Sequence, residues 1–311
     1  MSRFRQPLLL QPGDCIGVAA PASAFPVEAF TAAVAWIRAQ GFQVRHRPDI
    51  TQRLRYFAGD DKRRAEELNA LLCDPTIKAV FCARGGYGTQ RIIPLLHHEA
   101  IAAAAPKIFV GSSDLTVLHG WLQRHCGWTT FYGPTITHHF GDVPTAAQNW
   151  QHLWQAIGQP QPLGTLASGD LRIIKPGRAT GCLAGGCLSL VHASIDTAYG
   201  PTFDDDTILF LEDRGEKLYA LDRMLTHLAH ADVLRHVRGI IFGSLALSPD
   251  EPNPADLDTM LADCLRDFVG PVVAGLPAGH CDPCLTLPLG AQATLHTDPL
   301  DFSIDTAGVL P

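Results

Sequence analysis

Short apolar runs alternate along the chain with longer stretches in which apolar residues recur every three or four positions. The short runs are typical of buried strands, and the longer stretches are typical of helices with one apolar face. The clearest runs are residues 15–20 (CIGVAA), 79–83 (AVFCA), 108–110 (IFV), 207–211 (TILFL) and 239–243 (GIIFG). Because helical spacing follows most of these runs, the pattern predicts an α/β fold with a parallel sheet and helices on both of its faces.

Residues 158–180 interrupt this alternation because they are rich in proline and glycine. Such a composition is typical of a connection, so we expect a linker there that contains one short strand at 171–174. The chain then divides into an N-terminal α/β domain over 1–157 and a C-terminal α/β domain over 181–311. The second domain is expected to end in a hairpin at 291–304, where apolar and polar residues alternate.

Composition narrows the class of partner and the compartment. The formal net charge is -7, which argues against nucleic-acid or anionic-membrane binding, since both need a basic surface. The apolar run at 8–10 is too short for a signal peptide, and no run is long enough to cross a membrane. The nine cysteines are scattered and odd in number, which fits free thiols in a reducing cytoplasm better than a disulfide framework.

The strongest candidate for chemistry lies between the run at 108–110 and the helix that follows it. Gly111, Ser112, Ser113 and Asp114 form the corner. Nucleophilic serines of hydrolases occupy such a strand-turn-helix corner, with a small residue two positions earlier, and this spacing selects Ser113 over Ser112. The second glycine of the usual motif is absent, and the same residues could equally serve only as a helix cap.

A glycine-rich loop at 84–88 (RGGYG) follows the run at 79–83. It could be a plain tight turn, or it could lend a backbone N–H to an oxyanion hole, where glycine lets the backbone approach the substrate. A phosphate-binding role is disfavoured because no Walker lysine follows. The turn at 19–23 lacks the G-x-G-x-x-G pattern, which excludes a nicotinamide or flavin site of that type.

A nucleophilic serine needs a base, and the base needs an orienting group. Glu212 follows the buried run at 207–211, where a site carboxylate of an α/β fold belongs, although Asp213 and Glu216 compete for this role. His280 stands among 14 histidines but lies in a loop that Pro277 and Pro283 would restrict. Structurally, Glu212 could be only a helix cap and His280 only a turn residue.

The loop at 280–284 (HCDPC) also invites a metal or redox interpretation. A structural zinc site would need a second close pair, and Cys182 and Cys187 have four residues between them rather than two. A thioredoxin-like pair should open a helix, and nothing helical is expected after Cys284. We therefore expect no metal and no cofactor.

Several motifs together resemble the LD-carboxypeptidases, also called muramoyltetrapeptide carboxypeptidases. The resemblance covers most of the chain in the family's order and adds Glu216 and Tyr219 to its motifs. The motifs are residues 81–88 (FCARGGYG), 111–116 (GSSDLT), 211–213 (LED), 222–225 (DRML), 279–280 (GH) and 287–290 (LPLG). A cysteine-rich loop after His280 is a departure from the expected pattern and leaves the support around the histidine open.

The resemblance implies a serine peptidase in which Ser113 is the nucleophile, His280 the general base and Glu212 its orienting carboxylate. It also implies oxyanion donors from the backbone N–H groups of Gly86 and Asp114. Substrate binding is expected at two further positions, Arg84 and Gly85. For Arg84, a structural salt bridge is the alternative.

The same resemblance implies a flavodoxin-like N-terminal domain, a smaller C-terminal α/β domain and a homodimer. The implied reaction removes the terminal D-alanine from murein tetrapeptides by cleaving an L,D amide bond in cell-wall peptide recycling. Two rival functions remain. One is a microcin-immunity type peptidase acting on peptidyl- or aminoacyl-adenylate analogues, which an aromatic loop able to stack on a nucleobase would favour. The other is a non-catalytic ligand-binding protein of two α/β domains.

Overall fold

The computed structural model describes residues 4–166 and 170–311, so residues 167–169 of the predicted linker lie outside the described residues. The strands are β1 (Cys15–Ala19), β2 (Gln43–Arg45), β3 (Ile77–Cys82), β4 (Ile108–Gly111), β5 (Thr130–Tyr132), β6 (Gly164–Thr165), β7 (Arg172–Lys175), β8 (Arg178–Cys187), β9 (Thr207–Arg214), β10 (Val237–Ala246), β11 (Val272–Ala274), β12 (Leu287–Leu289), β13 (Gln292–Thr297) and β14 (Leu300–Ile304).

Helices separate most of these strands, as the apolar periodicity predicts. The α-helices are α1 (Val27–Ala39), α2 (Asp61–Cys73), α3 (Thr89–Ile92), α4 (His98–Ala103), α5 (Thr116–Trp121), α6 (Ile136–His139), α7 (Ala146–Ile157), α8 (Leu188–Ser194), α9 (Leu218–His230) and α10 (Leu257–Cys264). A 3-10 turn at Ser113–Leu115 leads into α5. In the part of the chain that the structure describes, no helix has the length and apolar character needed to cross a bilayer.

The first sheet has the strand order β12-β5-β4-β3-β1-β2. Strands β1 to β5 are parallel and follow the flavodoxin-like order 2-1-3-4-5. Neighbouring residues of β1 point to opposite faces, so Ile16 and Val18 enter one apolar core and Ala19 the other. The predicted α/β fold with a flavodoxin-like sheet is confirmed.

The second sheet has the order β6-β14-β13-β8-β9-β10-β11-β7. Its centre, β8 to β11, is parallel, and the antiparallel hairpin of β13 and β14 lies beside β8. The predicted hairpin and the predicted short strand near 171–174 are therefore both present. Within the predicted linker, β6 pairs with β14 and β7 pairs with β11, so this stretch contributes edge strands to the second sheet.

The two sheets share one apolar core. Tyr132 of β5 and Leu287 of β12 pack there with Phe210 of β9 and Ile241 of β10. The late strand β12 also pairs antiparallel with β5 and so joins the first sheet. The carboxyl ends of β4 and β9 are thereby held close to each other, although they belong to different sheets.

Candidate active site

Ser113 lies at the sharp corner between β4 and the 3-10 turn that leads into α5. Its φ angle is +65°, a left-handed conformation that non-glycine residues rarely adopt. A Cβ atom at Gly111 would lie 2.9 Å from Leu115 Cγ, so only glycine fits two positions before the serine. This is the geometry of a nucleophile at a strand-turn-helix corner. The Ser112 side chain, by contrast, makes no helix-capping hydrogen bond.

Two hydrogen bonds hold the backbone of Ser113 in this conformation. Its N–H donates to Tyr132 Oη at 2.8 Å. Its carbonyl accepts a hydrogen bond from Thr116 Oγ1 at 2.7 Å, and the backbone N–H of Cys187 on β8 donates to that same Oγ1 at 2.9 Å. The serine corner is thus tied to its own helix, to β5 and to the second sheet.

Glu212 lies inside β9 rather than after it, because the strand continues two residues further to Arg214. Its carboxylate is fully buried and accepts three hydrogen bonds. Tyr132 donates to Oε1 at 2.6 Å, and the backbone N–H and Nδ1 of His280 donate to Oε2 at 2.9 and 2.7 Å. These donors satisfy both oxygens of the buried carboxylate and fix its orientation.

His280 therefore carries its proton on Nδ1 and leaves Nε2 free to accept a proton. Burial opposes protonation of the ring, but the hydrogen bond and the charge of Glu212 outweigh it and raise the pKa of His280 above its ordinary value. Gly279 has a φ of +94°, and a Cβ there would collide with the Glu212 carboxylate. The glycine before the histidine is thus needed for the ring to reach the carboxylate.

Ser113 and His280 line the same cavity, which has a volume of about 520 Å³. Side chains from both sheets form its wall, and several of them are basic or imidazole groups. The lining includes Arg84, Gly85, Gly86, Ser112, Thr135, His138, His139, Arg214, Ala246, Gly279, Cys281 and Asp282. The structure thus brings Arg84, Gly85 and Gly86 to one cavity with the candidate nucleophile and base. Glu212 does not line this cavity and contacts the His280 ring through Nδ1.

The glycine loop packs directly against the serine. A Cβ at Gly85 would lie 2.8 Å from Ser113 Cβ, so the loop backbone approaches the serine as closely as the residue type allows. Gly86 lies on the rim with a φ of +101°. The buried Asp114 accepts from Thr89 N at 2.9 Å through its carboxylate, and its carbonyl accepts from Thr89 Oγ1 at 2.7 Å. Asp114 is therefore anchored to Thr89, the residue that directly follows the glycine loop.

The basic side chains that line the cavity differ in their partners and in their exposure. Arg84 is partly buried and donates from Nη1 to the carbonyl of Ala24 at 2.7 Å, so its described partner is a carbonyl rather than the carboxylate of a salt bridge. Arg214 is exposed at the end of β9. Burial, reinforced by Arg84, lowers the pKa of His138 to about 4, so its ring is neutral at physiological pH.

The loop after His280 is fastened to α7 by hydrogen bonds. Asn149 Nδ2 donates to Asp282 Oδ1 at 2.9 Å, and Asn149 Oδ1 accepts from the backbone N–H of Cys284 at 2.9 Å. Burial raises the pKa of the Cys281 thiol to about 12, and it also raises that of Cys284. Both thiols are therefore protonated at physiological pH, and the loop supports the histidine without a disulfide.

Sequence reasoning did not select Tyr132, Thr89 or His138. Tyr132 is the last residue of a short strand, and a tyrosine there is usually explained by packing alone. The available signal was its position at the carboxyl end of β5, where the sites of parallel sheets lie. Thr89 lies directly after the motif at 81–88 but is not part of it, and His138 stands in a segment that carries no motif.

Comparison with known proteins decides the family. The family model for the LD-carboxypeptidase N-terminal domain matches residues 16–133. The family model for the LD-carboxypeptidase C-terminal domain matches residues 180–295. The chain belongs to the LD-carboxypeptidase family. The resemblance seen in the motifs is thereby confirmed, and the protein is a hydrolase of the serine-type carboxypeptidase class.

Relatives of this LD-carboxypeptidase cover nearly its whole length. A protein of Streptomyces coelicolor whose name describes a carboxypeptidase is 37% identical over 98% of this chain and 97% of its own. The microcin C7 self-immunity protein of Escherichia coli is 27% identical over 96% of each chain. The solved structure of muramoyltetrapeptide carboxypeptidase from Oxalobacter formigenes is 27% identical, with a TM-score of 0.83 over 96% of this chain and 100% of that one.

Proposed function

We propose that this LD-carboxypeptidase removes the terminal D-alanine from murein tetrapeptides, with Ser113, His280 and Glu212 as its catalytic triad. The observation behind this proposal is the cavity that Ser113 and His280 both line, with the ring of His280 donating to the buried Glu212 at 2.7 Å. The named relative from Oxalobacter formigenes, similar over nearly all of this chain, supports the substrate. Such a reaction belongs to cell-wall peptide recycling.

The proposed chemistry follows from the hydrogen bonds of the triad. His280 Nε2 takes the proton of the Ser113 hydroxyl as the oxygen attacks the carbonyl of the scissile L,D amide bond. Glu212 holds the ring in the tautomer with its proton on Nδ1 and stabilises the imidazolium that forms. The imidazolium then protonates the leaving D-alanine, and water, activated by the same histidine, hydrolyses the acyl-enzyme.

The developing oxyanion would accept hydrogen bonds from the backbone N–H groups of Gly86 and Asp114. These two groups flank the serine, one on the rim of the glycine loop and one at the first residue after the nucleophile. Loss of one such donor typically costs about a hundredfold or more in rate.

A carboxypeptidase must also recognise the carboxylate at the end of its substrate. Arg84 is the candidate for this contact, with Gly85 providing room for the peptide backbone. Arg84 lines the cavity on the side of the glycine loop, and the neighbouring Arg214 adds positive charge from the second sheet. Because arginine presents a planar donor fork to a carboxylate, this wall favours an anionic terminal group.

The microcin-immunity activity remains the second candidate, since the Escherichia coli self-immunity protein is also similar over nearly the whole chain. Stacking on a nucleobase requires an exposed aromatic ring. Among the described residues that line the cavity there is no phenylalanine, tyrosine or tryptophan. The segment 245–273 contains one aromatic residue, Phe268, and this residue is buried in the core of the second sheet. The lining therefore favours the peptide substrate.

We further propose a cytoplasmic location and a homodimer. The nine cysteines all lie in the described residues and none of them forms a disulfide, which is consistent with a reducing compartment. The homodimer is supported by the family resemblance. Light scattering coupled to size-exclusion chromatography measures the mass in solution, and a monomer at micromolar concentration would contradict the dimer.

A substrate panel tests the proposed reaction. The native protein is incubated with L-Ala-γ-D-Glu-diaminopimelate-D-Ala, with the lysine analogue, with the same peptide ending in L-alanine, and with an aminoacyl sulfamoyl adenosine. We expect release of D-alanine from the first two and no cleavage of the peptide ending in L-alanine. Turnover of the adenosine compound alone would overturn the murein substrate and support the rival activity. No turnover of any compound would support the non-catalytic alternative.

A further inference from the structure

Tyr132 lies between the candidate nucleophile and the candidate carboxylate. Its side chain is fully buried. The ring packs edge-to-face against Phe210, with an interplanar angle of 68° and ring centroids 5.4 Å apart. It also packs against the ring of His119, with a centroid distance of 5.5 Å. A ring fixed on two sides presents its hydroxyl in one place.

Chemistry fixes the roles of two of the groups that are hydrogen bonded to the hydroxyl. A carboxylate can only accept, so the single Tyr132 hydrogen points to Glu212 Oε1 at 2.6 Å. A backbone N–H can only donate, so Ser113 N donates to the phenol oxygen at 2.8 Å. The result is one directed chain from the Ser113 amide through the phenol to the carboxylate.

We propose that Tyr132 is a positioning residue for the reaction, whose hydroxyl couples the backbone of the nucleophile to the carboxylate that orients the base. This inference rests on the proposed roles of Ser113, His280 and Glu212. It adds to them a residue that supports both ends of the triad without touching the substrate.

The first consequence concerns the serine. Its left-handed backbone, with φ at +65°, is costly and persists only where neighbours fix it. The phenol oxygen gives the Ser113 N–H a partner in this conformation. Because Tyr132 belongs to β5 and Glu212 to β9, the same hydroxyl also fixes the distance between the two sheets at the site.

The second consequence concerns the base. Glu212 Oε1 receives its hydrogen bond from Tyr132, while Oε2 serves His280. Without the phenol donor, more of the carboxylate charge acts on the ring, and the imidazolium becomes more stable. The pKa of His280 would then rise above its native value, and the base would be protonated over a wider range of pH.

The test uses a readout that does not depend on the identity of the peptide. A fluorophosphonate reacts with an activated serine and needs the same base, so its rate of reaction with Ser113 is measured from pH 5 to pH 9 in the full chain. The variant is Tyr132→Phe, which keeps the ring and removes only the hydroxyl. Tyr199→Phe, a partly buried tyrosine packed in a core of the first sheet, is the matched control.

We expect the Tyr132→Phe protein to react about tenfold to a hundredfold more slowly at its best pH, as for loss of a hydrogen bond to a charged group. We also expect the acid limb of its pH profile to move to higher pH, whereas the control keeps the native rate and profile. A native profile in Tyr132→Phe would overturn the proposal. A slower reaction with an unmoved acid limb would also overturn it, because loss of packing alone would have that effect.

A second variant covers the case in which Tyr132→Phe does not fold. Replacing Tyr132 by 3,5-difluorotyrosine keeps the shape of the ring and makes the phenol a stronger donor. The acid limb should then move to lower pH, and an unchanged limb would overturn the proposal.

If the native protein reacts with the probe but leaves the tetrapeptide intact, the murein substrate fails while Tyr132 is still tested. If the probe does not modify Ser113, the nucleophile and this inference fail together.

Discussion

At the scale of single residues, Gly279 shows how closely the backbone approaches the carboxylate of the site. Alanine at this position would place a Cβ against Glu212 at a φ of +94°. We predict that Gly279→Ala lowers kcat/KM by about a hundredfold or more, because the ring of His280 loses its place against the carboxylate. The rate of D-alanine release by the purified variant measures this effect.

Gly215→Ala is the matched control for this substitution. Gly215 has a similar φ of +84°, but nothing lies within 4 Å of the position of its Cβ. The control therefore suffers the backbone strain, about 1–2 kcal/mol, without the collision. Native-like activity in Gly215→Ala together with a large loss in Gly279→Ala would isolate the contact with Glu212. Equal losses in both would contradict our account.

The predicted pH dependence of the reaction follows from His280, the proposed base. The base must be neutral to accept the serine proton, so kcat/KM falls as the pH drops below the pKa of this residue in the free enzyme. Because Glu212 raises that pKa, we predict an acid limb with its midpoint above 6.5, the ordinary value. Glu212→Gln removes the charge while burial remains, so its acid limb should move to lower pH. If the acid limb of Glu212→Gln stayed at the native pH, this result would argue against His280 as the base.

The residues of the site differ in how far the sequence predicted them. Ser113 was predicted because a glycine two positions before a serine, after an apolar run, indicates a sharp corner. Glu212 and His280 needed the family resemblance, since 14 histidines and several carboxylates compete on position alone. Tyr132 was not predicted, because its role depends on a contact between two sheets that no local pattern reveals.

At the scale of elements, the glycine loop and the start of α3 hold the proposed oxyanion hole. Thr89 donates twice to Asp114, once to its carboxylate and once to its carbonyl. We predict that Thr89→Val lowers kcat about fivefold to tenfold with a smaller change in KM, because Asp114, whose N–H is a proposed oxyanion donor, loses the hydrogen bond that anchors its carbonyl. Steady-state kinetics on the tetrapeptide measure both constants.

Thr89→Ser keeps the hydroxyl and serves as the control. It should retain most of the native kcat, since the bond to the Asp114 carbonyl can still form. If Thr89→Val raised KM and left kcat intact, the loop would act in substrate binding rather than in support of the oxyanion hole.

The elements that the sequence did not reveal have physical reasons for being hidden. Strand β8 contains Gly181, Gly185 and Gly186, and glycine is depleted in strands. A Cβ atom at either of the first two glycines would collide with the backbone at Asp206 or Phe210, on the adjacent segment of the sheet. Glycine is therefore required there by the close approach of the backbone, whatever its strand propensity. Strand β12 has only three residues, one of them proline, which hides it from any periodicity.

At the scale of the whole molecule, the end of the chain returns to the first sheet. Strand β12 pairs with β5, and the backbones of Leu9 and Leu310 are hydrogen bonded at 2.8 Å. Val309 is buried in the same core as Ile16. The domain boundaries read from the sequence stay a prediction, and the two halves share more backbone pairing than those boundaries imply.

We therefore predict that a fragment of residues 1–160 does not fold stably on its own. It would expose the edge of β5 and the apolar surface that β12 and Val309 cover in the full chain. Circular dichroism and thermal melting of the fragment measure this, and co-expression with residues 161–311 should restore a folded complex. A cooperative melt of the isolated fragment near the native temperature would contradict the prediction.

The central claim is that Ser113 is the nucleophile that releases terminal D-alanine. Its most direct test is mass spectrometry of L-Ala-γ-D-Glu-diaminopimelate-D-Ala after incubation with the native protein, with Ser113→Ala and with Ser112→Ala as the adjacent control. We predict loss of one alanine from the peptide with the native protein and with Ser112→Ala, and an intact peptide with Ser113→Ala. Release of D-alanine by Ser113→Ala at the native rate would contradict the claim.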